Sequence, residues 1–192
     1  ISQHSSIQEA YNAITTPLTQ AYLIEILAIY DGSMEALPIT FGLKDGASAS
    51  NTITLRPAAG NTGEIITGSS TTGILILNDA DYVIIDGRPG GVGSTPDLKI
   101  INLSSSGTNA NTIQLLNSAT YNVVKYVHVV NSTQSTSGPR AIVVGASTTT
   151  GNSNNQIRYC KVEGGRSGIG IAGTTAAPND STVISNCEIY DW

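Results

Sequence analysis

Ile157-Arg158-Tyr159-Cys160-Lys161-Val162 returns as Ile184-Ser185-Asn186-Cys187-Glu188-Ile189, with the two cysteines 27 residues apart and Gly and Asn flanking both copies. A period of this size, with inward positions that repeat in type, belongs to a solenoid in which every turn buries its apolar side against the next. The pattern predicts an all-β chain wound as a parallel β-helix.

The repeat extends backward. Ile142-Val143-Val144 precedes the Cys160 segment as Ile169-Gly170-Ile171 precedes the Cys187 segment, again at 27 residues. One turn earlier, Thr112-Ile113-Gln114-Leu115-Leu116 leads to Val124-Lys125-Tyr126-Val127-His128-Val129. Before that, Ile74-Leu75-Ile76-Leu77 leads to Tyr82-Val83-Ile84-Ile85-Asp86-Gly87. The spacings here widen to 29 (113 to 142) and 39 (74 to 113). A solenoid tolerates such loops because an insertion leaves the outer surface without disturbing the stacked core.

Composition agrees. The 192 residues are 40% hydrophobic but only 5% aromatic, which suits a narrow interior of Ile, Val, Leu and Ala. Twenty glycines without a short fixed period indicate many turns rather than collagen. Net charge is −5, and the nine Lys and Arg are dispersed, so no cluster exists to displace phosphate counterions and nucleic acid is excluded as a partner. No apolar run is long enough to cross a bilayer; Tyr22 to Tyr30 is too short and contains Glu25. The first residue is Ile1 rather than Met, which permits a removed leader and export.

A cap precedes the coils. Within Ser5-Ser6-Ile7-Gln8-Glu9-Ala10-Tyr11-Asn12-Ala13-Ile14 a Ser N-cap is followed closely by Glu, and Ile7, Tyr11 and Ile14 share one helical face, with Pro17 setting the end. Such a helix covers the open end of the first coil and hides a sheet edge. Strands are expected at about 22–30, 51–56 and 73–77, followed by the coils above. The chain therefore reads as one β-helix domain over 1–192, with the cap over about 1–20 and coils over 21–192. Cys160 and Cys187 on neighbouring rungs point the same way, which favours stacked free thiols over a disulfide.

The opening helix, Ile24 to Gly32, Ile53-Thr54-Leu55-Arg56-Pro57-Ala58-Ala59-Gly60 and Tyr82 to Arg88 resemble the first turns of right-handed parallel β-helix proteins of the pectate-lyase-like superfamily. More narrowly, they are similar to the Ser/Thr/Asn-rich β-helix regions of large secreted or cell-surface proteins of the Bacteroidetes type. The resemblance spans nearly the whole chain. It implies an extracellular or cell-surface module with a structural, adhesive or glycan-contacting role, and an N-terminal fragment of a longer chain whose further coils, or a partner, cap the open end. It also implies an alternative, in which the catalytic coils of a polysaccharide lyase or glycoside hydrolase lie beyond Trp192.

The residues do not complete a catalytic set. Neither His4 nor His128 has the glycine neighbours that a polygalacturonase-like site requires. His128, between Val127 and Val129, is expected to point outward as a lone surface imidazole. The densest acidic group, Asp79, Asp81 and Asp86, is the candidate for calcium; Asp86 lies roughly 16 Å from Asp81 along an extended chain, and turn roles compete for all three. Ser167 has no nucleophile-elbow spacing, and Gly87 to Gly93 lacks the Lys-Ser or Lys-Thr of a phosphate loop. Asn102, Asn131 and Asn179 begin glycosylation-type triplets of the kind an Asn/Ser/Thr-rich chain produces by chance. Thr52-Ile53-Thr54 does not recur coil after coil as an ice-binding ladder must. Tyr82, Tyr121 and Tyr126 are the candidates for stacking on sugar rings, with partial burial as their competing role.

Overall fold

The computed structural model describes residues 2–133, 138–147 and 150–192. After α1 (Ile7–Asn12) the chain forms β1 (Tyr22–Ile26) and β2 (Ile39–Phe41). Coils follow: β3 (Ile53–Pro57), β4 (Ile65–Gly68) and β5 (Leu75–Asn78); β6 (Val83–Asp86), β7 (Leu98–Asn102) and β8 (Ile113–Leu116). Next come β9 (Val123–Lys125), β10 (Val127–Asn131) and β11 (Ile142–Val144); then β12 (Gln156–Arg158), β13 (Lys161–Gly164) and β14 (Ile169–Ile171); and finally β15 (Val183–Ser185) and β16 (Glu188–Tyr190). Each strand pairs in parallel with its counterpart one coil on. Three sheets result: sheet 1, β1-β3-β6-β9-β12-β15; sheet 2, β4-β7-β10-β13-β16; and sheet 3, β2-β5-β8-β11-β14. The chain is a parallel β-solenoid.

In-register pairing stacks like on like. Ile24, Leu55, Ile85, Val124, Ile157 and Ile184 form one inward column, and Ile39, Leu75, Ile113, Ile142 and Ile169 another. The 27-residue offsets hold as read, and so does the 29-residue step. The wider step is corrected by one: Leu75, not Ile74, pairs with Ile113. Burial comes from the stack itself. Ile157 and Val162 are fully covered, whereas their register partners on the last coil, Ile184 and Ile189, are 42% and 41% exposed.

Where the repeat suggests two strands per coil, the structure has three. The segment from Ile157 to Val162 breaks between β12 and β13, because Tyr159 adopts a left-handed conformation with φ of +55°. Tyr126 and Asn186, its neighbours in register, do the same at +53° each, and Gly87 occupies this corner one coil earlier. Positive φ is uncommon for tyrosine, so nothing in the side-chain type signals the bend. At Gly87 the requirement is steric: a Cβ there would stand 1.8 Å from the Tyr126 carbonyl oxygen. A second corner, leading into sheet 1, repeats the device with Tyr82, Tyr121, Asn154 and Ser181, at φ of +55°, +57°, +60° and +55°.

The interior is not wholly apolar. Asn122 and Asn155, both fully buried and one coil apart, form a carboxamide ladder. Asn155 Nδ2 donates to the carbonyls of Ala119 and Asn152, and its Oδ1 accepts from Asn122 N at 2.9 Å. Asn122 in turn bonds Ala80 O and Val83 N. Asn102 and Asn131 make a matching pair after sheet 2. Asn102 Nδ2 donates to Ser70, Ala110 and Asn111 carbonyls, while Oδ1 accepts from Ser104 N; Asn131 Oδ1 accepts from Thr133 N. Turn backbone that cannot reach a strand partner is satisfied this way. The Asn-x-Ser/Thr triplets at Asn102 and Asn131 are therefore corner motifs rather than chance matches, and their amide nitrogens are buried and committed.

The cap differs in extent from the expectation. Ser6 is the N-cap, its Oγ accepting from Glu9 N, while the Glu9 carboxylate accepts from Ser5 N and Ser5 Oγ. The helix ends at Asn12, well before Pro17. Its buried face is the one expected, and Tyr11 stacks on Phe41 with ring centroids 4.1 Å apart, closing the core above β1 and β2. β1 stops at Ile26 instead of running to Tyr30: the Tyr30 N–H turns back to Leu27 O, leaving Ile29 86% exposed. Cys160 is buried, Cys187 half-buried, and both are free thiols, as expected.

Replacing Asn155 with Ala strands two carbonyls and one N–H in the interior, each worth about 1–3 kcal/mol; the urea midpoint is expected to fall by the equivalent of about 3 kcal/mol or more. Gln156→Ala, at the next residue and on the outer face of β12, is expected to change stability by about 0.5 kcal/mol or less.

Candidate functional site

Sheet 1 presents its outer face between the two left-handed corners. Tyr82 and Tyr121 stack at one edge, centroids 4.9 Å apart and planes within 2°. Tyr126 and Tyr159 stack at the other, at 4.8 Å and 5°. Both spacings equal the strand separation, so the stacks follow directly from in-register pairing at corners that point side chains outward. Arg88 extends the second stack, its guanidinium carbon 4.4 Å from the Tyr126 centroid. Stacking covers ring faces: Tyr82 and Tyr126 are half-buried, whereas Tyr121 and Tyr159 remain 47% and 43% exposed. Of the three tyrosines singled out in the sequence, Tyr121 offers the most open ring. Its counterpart Tyr159 was missed, although its place one register step beyond Tyr126 was readable from the repeat.

Between the stacks runs a charged row, Glu25, Arg56, Asp86, Lys125 and Arg158, one from each of the first five strands of the sheet. Arg56 Nη2 lies 2.9 Å from Glu25 Oε1. Asp86, 3% exposed, is held by Arg88 Nε and Nη2, at 2.9 and 2.7 Å, and by Lys125 Nζ at 3.1 Å. It also accepts from Arg88 N, the turn role expected of it. Asp81 Oδ1 accepts from Thr120 N and Thr120 Oγ1 on the next coil, and Asp79 lies at a left-handed corner with φ of +57°. Asp81 and Asp86 are thus committed to separate partners, and Asp79 lies with Asp81 in the connection between β5 and β6. Among the described residues no three His, Cys, Asp or Glu side chains converge on one point.

On the outer face of sheet 2, His128 points outward as expected but is not alone. Its Nε2 lies 2.9 Å from Glu163 Oε2 and 3.1 Å from Tyr190 Oη. These residues come from β10, β13 and β16, too far apart in sequence for local spacing to join them. Burial is the main influence lowering the His128 pKa, with Lys99 and Lys161 adding to it and Glu163 opposing, so the imidazole is neutral at pH 7. Ser167 accepts from Arg140 Nε at 3.2 Å and serves to anchor that side chain. The Gly87–Gly93 run forms a short 3-10 turn at Pro89–Gly91 that packs against β3, with Gly91 beneath the Arg56 guanidinium.

Asp86 supplies a pH test. Burial pushes its carboxyl up, but the hydrogen bonds from Arg88 and Lys125 outweigh burial and hold it below the usual range. A depressed carboxyl contributes stability above its unfolded value of about 3.9, and the contribution is lost as pH falls through the folded value. Asp86→Asn is expected to cost about 2 kcal/mol at neutral pH and to flatten the fall in urea midpoint below about pH 4, relative to the parent chain.

No protein-family model matches the chain, and no curated protein or solved structure matches it either.

Proposed function

We propose that this chain is a structural and glycan-contacting module of an extracellular or cell-surface protein, of the Bacteroidetes-type β-helix kind that its opening turns resemble. Its coil is taken as right-handed, the hand adopted by about 98% of parallel crossovers. The observation that carries the reading is the pair of tyrosine stacks flanking one outer sheet face. They place open aromatic surface and phenolic hydroxyls on both sides of a polar strip whose acids are already paired. Aromatic surface beside hydrogen-bonding groups suits a polyol, which presents apolar C–H faces and hydroxyl edges together. The rings are held by stacking on one another at the coil corners, so little side-chain entropy is lost on contact. Adhesion through repeated weak contacts along the solenoid follows the same logic, since tethered contacts raise effective concentration.

The test is a panel of soluble neutral and acidic polysaccharides, measured by affinity electrophoresis and calorimetry. Saturable binding to at least one polymer is expected, weakened about tenfold or more by Tyr121→Ala together with Tyr159→Ala. Reducing ends and unsaturated products are expected to stay at background. Absence of binding across the panel, or binding indifferent to both tyrosines, would overturn the reading, and release of such products would replace it with a polysaccharide-degrading activity.

A further inference from the structure

His128, Glu163 and Tyr190 stand on the outer face of sheet 2, one on each of three consecutive coils, in a chain with only 12% charged residues. His128 Nε2, Glu163 Oε2 and Tyr190 Oη form a triangle with edges of 2.9, 3.1 and 3.4 Å. Metal–ligand bonds of about 2.0–2.2 Å, at angles between octahedral and tetrahedral, place neighbouring donor atoms about 2.9–3.5 Å apart. The triangle therefore has the dimensions of one face of a first-row coordination sphere.

We propose that His128, Glu163 and Tyr190 bind a divalent transition ion of borderline softness, Zn²⁺ or Cu²⁺, with the remaining positions open to water or an incoming oxygen ligand. One imidazole nitrogen and two oxygens suit such an ion; Ca²⁺ takes six to eight oxygens, and Mg²⁺ demands near-octahedral oxygen geometry. Each donor sits on a strand held on at least one side by parallel pairing, and mutual hydrogen bonds already hold the three atoms together, so little reorganisation is needed. On binding, the proton that His128 Nε2 shares with Glu163 moves to Nδ1, which frees the Nε2 lone pair for the ion.

Without an ion the Tyr190 hydroxyl keeps its proton, directed toward Glu163 Oε2 at 3.4 Å. Coordination as phenolate releases that proton, so affinity rises with pH. The site then carries two negative charges, from Glu163 and the phenolate, against the cations that flank His128 in its row. Of these, Lys161 lies 3.7 Å from Glu188 and Lys99 is one strand away on the other side. Because the donors span three coils, a bound ion clips those coils together and must stabilise the fold.

The experiment is calorimetry and thermal unfolding of the full chain with ZnCl₂, CuCl₂, CaCl₂ and MgCl₂ in a non-chelating buffer. One equivalent of Zn²⁺ or Cu²⁺ is expected per chain, with a Tm rise of about 5 °C at a hundredfold excess over Kd. CaCl₂ and MgCl₂ are expected to do neither. Copper binding should bring a visible phenolate-to-metal absorption band, a readout independent of stability. His128→Ala is expected to weaken binding at least tenfold. Tyr190→Phe keeps the ring and its packing, so it tests the donor oxygen where the alanine variant fails to fold; it should lose the visible band and weaken binding about tenfold. No stoichiometric binding by the parent chain overturns the proposal, as does binding that survives Tyr190→Phe undiminished.

Discussion

Parallel, in-register pairing of each strand with the strand one coil on is the constraint from which the rest of the molecule follows. It puts a residue directly above its counterpart at the strand spacing, and so converts one coil's side-chain pattern into columns. Apolar columns become the core. Ile157 is fully buried because Val124 and Ile184 lie on either side of it, while Ile184 has a neighbour on one side and is 42% exposed. Burial here is a property of the stack and not of any single coil, which is why a solenoid coil does not fold alone.

The same geometry creates a polar problem and repeats its solution. Corners cannot continue the ladder of backbone hydrogen bonds, so the buried carboxamides of Asn122, Asn155, Asn102 and Asn131 take it over. An asparagine suits this position because one side chain donates two bonds and accepts others, matching carbonyls on one coil and amides on the next. On the outside, the columns become rows of charge and stacks of rings. The tyrosine pairs at 4.8 and 4.9 Å are aromatic columns produced by the register that produces the core.

Legibility in the sequence tracked this distinction between what repeats and what bends. The 27-residue recurrence of Cys160 and Cys187 revealed the solenoid and the columns, and the Ser-Glu opening with Ile7, Tyr11 and Ile14 revealed the capping helix. The third sheet was hidden, because the corner residues Tyr126 and Tyr159 are conformationally unusual rather than chemically distinctive. Asn102 and Asn131 were visible as triplets, but only burial distinguishes a corner amide from a surface acceptor. Among the candidate site residues, Asp86 was recognised as a turn residue, whereas its ion pair with Lys125 depends on a neighbouring coil.

What the sequence determined by itself was periodicity: apolar columns at fixed intervals can be buried together only by stacking, and this compels a solenoid with parallel strands. What only the tertiary structure decided was which outward residues meet. Glu163 and Tyr190 reach His128 from 35 and 62 residues away, and Tyr159 covers Tyr126, because loop lengths and corner angles set the register between coils. A period shows that two coils stack; the sum of every bend between them fixes which atoms come within hydrogen-bonding distance.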